Sequence, residues 1–221
     1  MWFLAISTKS NKSKHADLVK LSPFRLRKKA ANFTKPVFEA LAVLNREGVQ
    51  MKLVCETERL SIRQFNTNDT VFIIRLLNEE SFIRNIADKQ VRTNTDAINY
   101  LNNGPISSYE VYGFGLNLVL LKDTGTPIGM CGLLKREELD HPDIGYALLP
   151  EFCGKGYANE AASSILKEEM ATHNLNTVLA VTLPNNLSSN ILLKNLGFSL
   201  KGTVELYDTQ NNFYDYSSQN C

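Results

Sequence analysis

Ile144-Gly145-Tyr146-Ala147-Leu148-Leu149-Pro150-Glu151-Phe152-Cys153-Gly154-Lys155-Gly156-Tyr157-Ala158-Asn159-Glu160-Ala161 is the stretch that decides the fold. It reads as a strand that runs out, a Gly-x-Gly turn, and a helix that begins at once. Glycines permit positive φ and let a backbone approach a ligand closely. The N–H groups of such a turn and of the first helical turn can grip a pyrophosphate, aided by the helix dipole. Lys155 adds a point charge. No Gly-x-x-x-x-Gly-Lys-Ser/Thr run occurs, so this is not a Walker loop, and the dinucleotide pattern Gly-x-Gly-x-x-Gly is incomplete. Taken alone, Gly154-x-Gly156 describes a plain turn more often than a binding loop.

The flanking sequence alternates strands and helices. Leu60 and Ile62 alternate with Arg59, Ser61 and Arg63, which predicts one half-buried strand over Glu56 to Phe65. Asp69 is expected to cap a helix carrying Phe72, Ile73, Leu76 and Leu77 on one face. A second helix starts near Thr95–Asp96 and stops at Asn103-Gly104-Pro105. Strands follow over 114–121, 127–135 and 143–149, the last two joined by the polar loop Glu137-Glu138-Leu139-Asp140. The helix after the glycine turn extends to about His173, and Thr177 to Leu183 is short and apolar enough for a buried strand. Pro184-Asn185-Asn186 leads into a short helix ending at Gly197. Phe198 to Tyr207 and Phe213 to Ser218 close the chain as a hairpin around Thr209 to Asn212. The order implies an α/β (α+β) fold with a mixed sheet.

A second segment, Asn186-Leu187-Ser188-Ser189-Asn190-Ile191-Leu192-Leu193-Lys194-Asn195-Leu196-Gly197-Phe198, gives the glycine turn its meaning. Together the two closely resemble the Gcn5-related N-acetyltransferase (GNAT) superfamily, and in particular its Rim-type branch, which acetylates N-terminal amines of ribosomal proteins. Phe152-Cys153-Gly154-Lys155-Gly156-Tyr157-Ala158 with Glu160-Ala161 is similar to that branch's pyrophosphate loop. Asn186, Ser189, Leu196, Gly197 and Phe198 match its later block at the same spacing. Glu56-Thr57-Glu58-Arg59-Leu60-Ser61-Ile62-Arg63 looks like its first strand. The likeness spans about residues 52–218. It departs at Cys153, where the superfamily's signature opens with Gln or Arg, and at Lys194-Asn195, where Glu-Lys is common.

The resemblance implies a mostly antiparallel sheet with helices on both faces. It also implies a splayed central pair, the strands holding Ile144 and Thr177, with acetyl-CoA in the wedge. Tyr146, Ala147, Leu148, Leu149, the turn Cys153, Gly154, Lys155, Gly156, Tyr157 and Ala158, and Asn186 are then the cofactor-binding residues. Backbone groups around Tyr146 to Leu149 serve as oxyanion donors, the largest electrostatic term in many acyl transfers. Ser189 is the candidate acid toward the leaving thiolate, and a helix-start hydroxyl is its plainer role. Among Glu137, Glu138 and Asp143, Glu138 is favoured as the general base. Tyr146 and Tyr157 are expected to pack rather than react. The implied activity is acetyl transfer to a primary amine, of a protein N-terminus or a small metabolite. A non-catalytic acyl-CoA-binding module is the alternative.

Composition limits the rest. The 221 residues are 43% hydrophobic and carry a net charge of +1, which excludes a nucleic-acid footprint spread over the whole chain. No run approaches the roughly 18 apolar residues of a membrane span. Residues 1–50 carry +7 and residues 51–221 carry −6. The first block has three readings: a solvated or partly helical extension with a short helix through Leu41 to Leu44, a basic arm touching RNA through Arg25, Arg27, Lys28 and Lys29, or a mis-set start before Met51. Every matched motif lies in 51–221. Cys55, Cys131, Cys153 and Cys221 show no CxxC and no paired histidine, so no metal site or disulfide framework is expected, which suits a cytoplasmic protein. A monomer or homodimer is expected.

Overall fold

The computed structural model describes residues 52–217. The expectations for residues 1–51, and for Cys221, lie outside the described residues. Everything described falls in one compact unit, Leu44–Cys221. Eight strands form one sheet in the order β1-β2-β3-β4-β5-β6-β8-β7. They are β1 (Leu53–Glu56), β2 (Leu60–Gln64), β3 (Leu116–Leu121), β4 (Pro127–Leu134), β5 (Asp143–Leu148), β6 (Thr177–Thr182), β7 (Ser199–Leu206) and β8 (Thr209–Ser217). Neighbours are antiparallel except β5 and β6, which run parallel and pair at one position, Asp143 with Leu179. The sheet is therefore mixed, mostly antiparallel and splayed at its centre.

Helices α1 (Thr70–Leu77), α2 (Glu80–Asn85), α3 (Asn94–Leu101) and α4 (Ser107–Tyr112) precede β3, α5 (Tyr157–Thr172) follows β5, and α6 (Leu187–Asn195) follows β6. The helices cover both faces of the sheet. On one face Ala161, Ala162, Ile165 and Leu166 of α5 and Leu193 of α6 pack on Ile62, Val119, Cys131 and Ile144. On the other, Ile73, Leu76 and Leu77 of α1 and Ala97 and Leu101 of α3 pack on Leu118, Met130 and Leu149. The alternation of β5 puts Ile144, Tyr146 and Leu148 toward the first cluster and Ala147 and Leu149 toward the second, as a strand buried on both faces requires.

Five local readings are corrected. The strand expected over 56–65 begins only at Leu60, as β2; a further strand, β1, precedes it, and the two are joined by a turn at Thr57–Arg59, where Thr57 exchanges bonds with Leu60. That turn has no Gly or Pro to announce it; a threonine hydroxyl closes it. The six-residue α2 goes unmarked in the sequence, because it opens on Glu79, which makes no side-chain cap. Helix α3 does not stop at Asn103-Gly104-Pro105: the chain widens into one π turn over Asn102–Ile106 and continues as α4. A proline ring clashes with the carbonyl four residues back, and widening the turn moves that carbonyl away. The closing hairpin turns at Tyr207–Asp208, not at Thr209 to Asn212. Both residues have positive φ, 54° and 57°, so the link is a two-residue turn of the type that matches strand twist. Asp69 precedes α1 but makes no side-chain cap to it, because its carboxylate binds Arg63 and the Asn66 N–H.

Candidate active site

Beyond Asp143, the β6-facing edge of β5 has no strand partner. Leu149 N donates to Ile128 O on β4, and Leu179 N donates to Pro142 O on the other side. Alternation along the strand therefore aims the peptide groups of Ile144, Tyr146 and Leu148 into the gap toward β6, and those of Ala147 and Leu149 toward β4. Buried peptide groups need partners. Those of Tyr146 and Leu148 face a wedge that opens toward the C-terminal end of β5, where the glycine turn lies.

In that turn Gly154 and Gly156 have φ of +73° and +83°, a region costly for any residue with a Cβ. Gly156 is the N-cap of α5 and offers no side chain, so the first N–H groups of the helix are not capped from within. The first helical bond is Glu160 N to Gly156 O. Lys155 lays its ammonium over the Phe152 ring at 5.6 Å, and Tyr157 lies under the Arg59 guanidinium at 4.5 Å. Cys153 is exposed and directs its thiol to Leu149 O; burial of its sulfur, then the Glu151 charge, raise its pKa. Ala158 occupies the first turn of α5.

Across the gap, the segment after β6 is tied down by asparagines. Asn186 caps α6, its Oδ1 accepting from Ser189 N at 3.2 Å. Burial pushes the Tyr146 phenol up to about 12, and the nearby Ser189 hydroxyl pulls it down only in part. The structure thus joins two residues that the sequence placed 43 positions apart in its numbering. Tyr146 is held as a phenol at any ordinary pH. Asn190, which sequence reasoning passed over as part of an apolar helix, is the hub of this region. Its Nδ2 donates to Leu183 O at 3.0 Å and Asn186 O at 2.8 Å, and its Oδ1 accepts from Asn212 at 2.7 Å and Tyr214 at 2.6 Å. Replacing it by Leu leaves the buried Tyr214 hydroxyl unpaired. Asn190→Leu should cost at least about 1–3 kcal/mol, read as a lower urea midpoint at unchanged m; an unshifted midpoint would deny the hub.

At the other end of β5, Glu138 stands exposed in the loop before the strand, and Asp143 is 1% exposed and ion-paired to Arg136 at 3.0 Å. Glu138 and the glycine turn therefore lie beyond opposite ends of β5. Burial raises the Asp143 carboxyl above its ordinary 3.8, and Arg136 opposes this only in part. A carboxyl whose folded pKa is raised favours the native state when protonated. That contribution is full below the unfolded value and is lost as pH climbs through the folded one. Asp143→Asn removes the titration, so the stability of wild type relative to this variant should fall as pH rises through the carboxylate range. A difference that ignores pH in denaturation curves would contradict this.

Among the described residues, no group of three or more His, Cys, Asp or Glu is arranged to hold a metal, and no helix is long and apolar enough to cross a membrane. A family model described as an acetyltransferase (GNAT) domain matches residues 59–199. The chain is 28% identical over 146 residues to the uncharacterized N-acetyltransferase YnaD of Bacillus subtilis (strain 168), covering 66% of this chain and 82% of that protein. It is 26% identical over 160 residues to YoaA of the same organism, another uncharacterized N-acetyltransferase, covering 72% and 89%. An acetyltransferase from Agrobacterium tumefaciens str. C58 shares the fold with a TM-score of 0.66 at 21% identity, over 79% of this chain and 100% of that one. RimL, a ribosomal L7/L12 alpha-N-protein acetyltransferase solved with coenzyme A, does so with a TM-score of 0.66 at 15% identity, over 75% and 98%.

Proposed function

This chain belongs to the GNAT acetyltransferase family, and on that premise we propose that it transfers the acetyl group of acetyl-CoA to a primary amine by direct attack. The acceptor is assigned first to a protein N-terminal α-amine and second to a small amine. Support for the first comes from the Rim-type motifs around Gly154 and Ser189, and from the likeness in fold to RimL.

The observation that carries the reading is the one-position pairing of β5 with β6 beside a turn with two left-handed glycines. A ligand with a diphosphate at one end and amides along an extended arm fits those needs. The turn and the α5 N-terminus offer N–H groups to the diphosphate, and the open edge of β5 offers peptide groups to the arm. Acetyl-CoA supplies an activated thioester. The chain supplies the rest. N–H groups on the open edge of β5 stabilise negative charge developing on the thioester oxygen, where water is excluded and such dipoles count most. Glu138 takes the proton from the incoming ammonium. As the C–N bond forms and the C–S bond breaks, the second proton lost by the nitrogen ends on the departing sulfur, which the Ser189 hydroxyl hydrogen-bonds as its negative charge develops. Asn186 keeps its Nδ2 for a carbonyl of the arm.

An amine panel of N-terminal peptides, aminoglycosides, polyamines and free amino acids, read as CoA release, tests the reading. Turnover on peptides carrying a free α-amine, lost on blocking that amine, is the expected result. Glu138→Gln should lower kcat about a hundredfold or more. A wild-type kcat in this variant removes Glu138 as the base.

A further inference from the structure

The β1–β2 turn reaches across to the glycine loop through three side chains. Glu160, in the first turns of α5, accepts from the Thr57 hydroxyl, from Arg59 N at 3.0 Å and from Arg59 Nε at 2.6 Å. The Arg59 Nη1 donates in turn to the backbone carbonyl of Lys155 at 3.1 Å, and its guanidinium lies 4.5 Å over the Tyr157 ring. Its Nη2 approaches within 3.3 Å of where a Cβ on Gly156 would stand. We propose that Arg59, Glu160 and Thr57 form a positioning latch that presets the Lys155–Gly156 peptide plane so that the Gly156 N–H faces the diphosphate. This rests on the reading of the 153–158 turn as the diphosphate site.

No cis peptide bond occurs among the described residues, and in a trans peptide the carbonyl and the following N–H point in opposite directions. Pinning the Lys155 carbonyl toward Arg59 therefore turns the Gly156 N–H away from Arg59, to the outer face of the loop. Without a latch, Gly154-Lys155-Gly156 has two residues that visit either sign of φ freely, and the plane could flip. A preorganised loop binds without first losing that freedom. The Arg59 charge is not spare for a phosphate, because Glu160 neutralises it at 2.6 Å. Burial raises the Glu160 carboxyl, but the bonds from Thr57 and Arg59 outweigh it and hold the group below its ordinary 4.5, so the partner stays ionised. The latch acts through geometry, and a bare ammonium cannot replace a planar fork that bonds a carboxylate and a carbonyl at once.

Arg59→Lys, Glu160→Gln and the double variant test it, with acetyl-CoA compared against acetyl-pantetheine, which lacks the diphosphate. Each single variant should raise the Kd and KM for acetyl-CoA about tenfold with kcat within about twofold, the pattern of lost ground-state binding. The double variant should be no worse than either single one, since both break the same latch. On acetyl-pantetheine all should match wild type. Unchanged acetyl-CoA affinity, full rescue by Lys, or an equal loss on both thioesters would overturn the latch while leaving the loop assignment standing. Equal KM of the wild type for both thioesters would overturn the loop assignment and the latch with it.

Discussion

Gly156→Glu is expected to weaken acetyl-CoA binding by at least about a hundredfold, the loss of close to 3 kcal/mol at 1.4 kcal/mol per tenfold. Three effects add at this position. Its φ of +83° strains any residue with a Cβ, and the new Cβ would stand 3.3 Å from Arg59 Nη2. The third is the carboxylate, set among the N–H groups at the start of α5, where it competes with and repels the diphosphate. Gly156→Ala separates them, because it brings the first two effects without the charge. Calorimetry should find a modest loss for Ala and a near-complete one for Glu. A folded Glu variant with wild-type affinity would move the diphosphate site elsewhere.

Ser189→Ala should lower kcat by roughly tenfold to a thousandfold, at or below the range of a general acid. A thiol near the free value of about 8.5 leaves more easily when a hydroxyl bonds it as charge develops. KM for acetyl-CoA should move little, since the interaction strengthens only in the transition state. The structure makes this a clean substitution. The cap of α6 comes from Asn186 Oδ1 to Ser189 N, a backbone group that alanine keeps. What is lost is the hydroxyl beside Tyr146. Wild-type kcat in Ser189→Ala would return Ser189 to a packing role and leave the sulfur to Tyr146, which Tyr146→Phe then tests.

What was legible in the sequence is what local chemistry dictates. Gly154 and Gly156 point to a turn with positive φ, and the apolar run over Thr177 to Leu183 to a buried strand, whereas the Asn186 cap shows only in the structure. What was not legible depends on partners far along the chain. Thr57 and Arg59 look like strand residues until Glu160, 103 and 101 positions away, meets them. Asn190 looks like an interruption of an apolar helix until Asn212 and Tyr214 on β8 bond to it. Pro105 reads as a stop because a proline usually ends a helix, and only the widened turn around it lets the helix go on. The single pairing of β5 with β6 is a tertiary fact with no residue pattern of its own; the family resemblance implied it, and composition and periodicity did not.

The most direct measurement is a single turnover experiment with isotopically labelled acetyl-CoA and an α-amine peptide, following free thiol and peptide mass together. One labelled acetyl group on the α-nitrogen for each CoA thiol released is the predicted result. Tight acetyl-CoA binding with no thiol released above the enzyme-free rate, on this peptide and on every other amine offered, would contradict it.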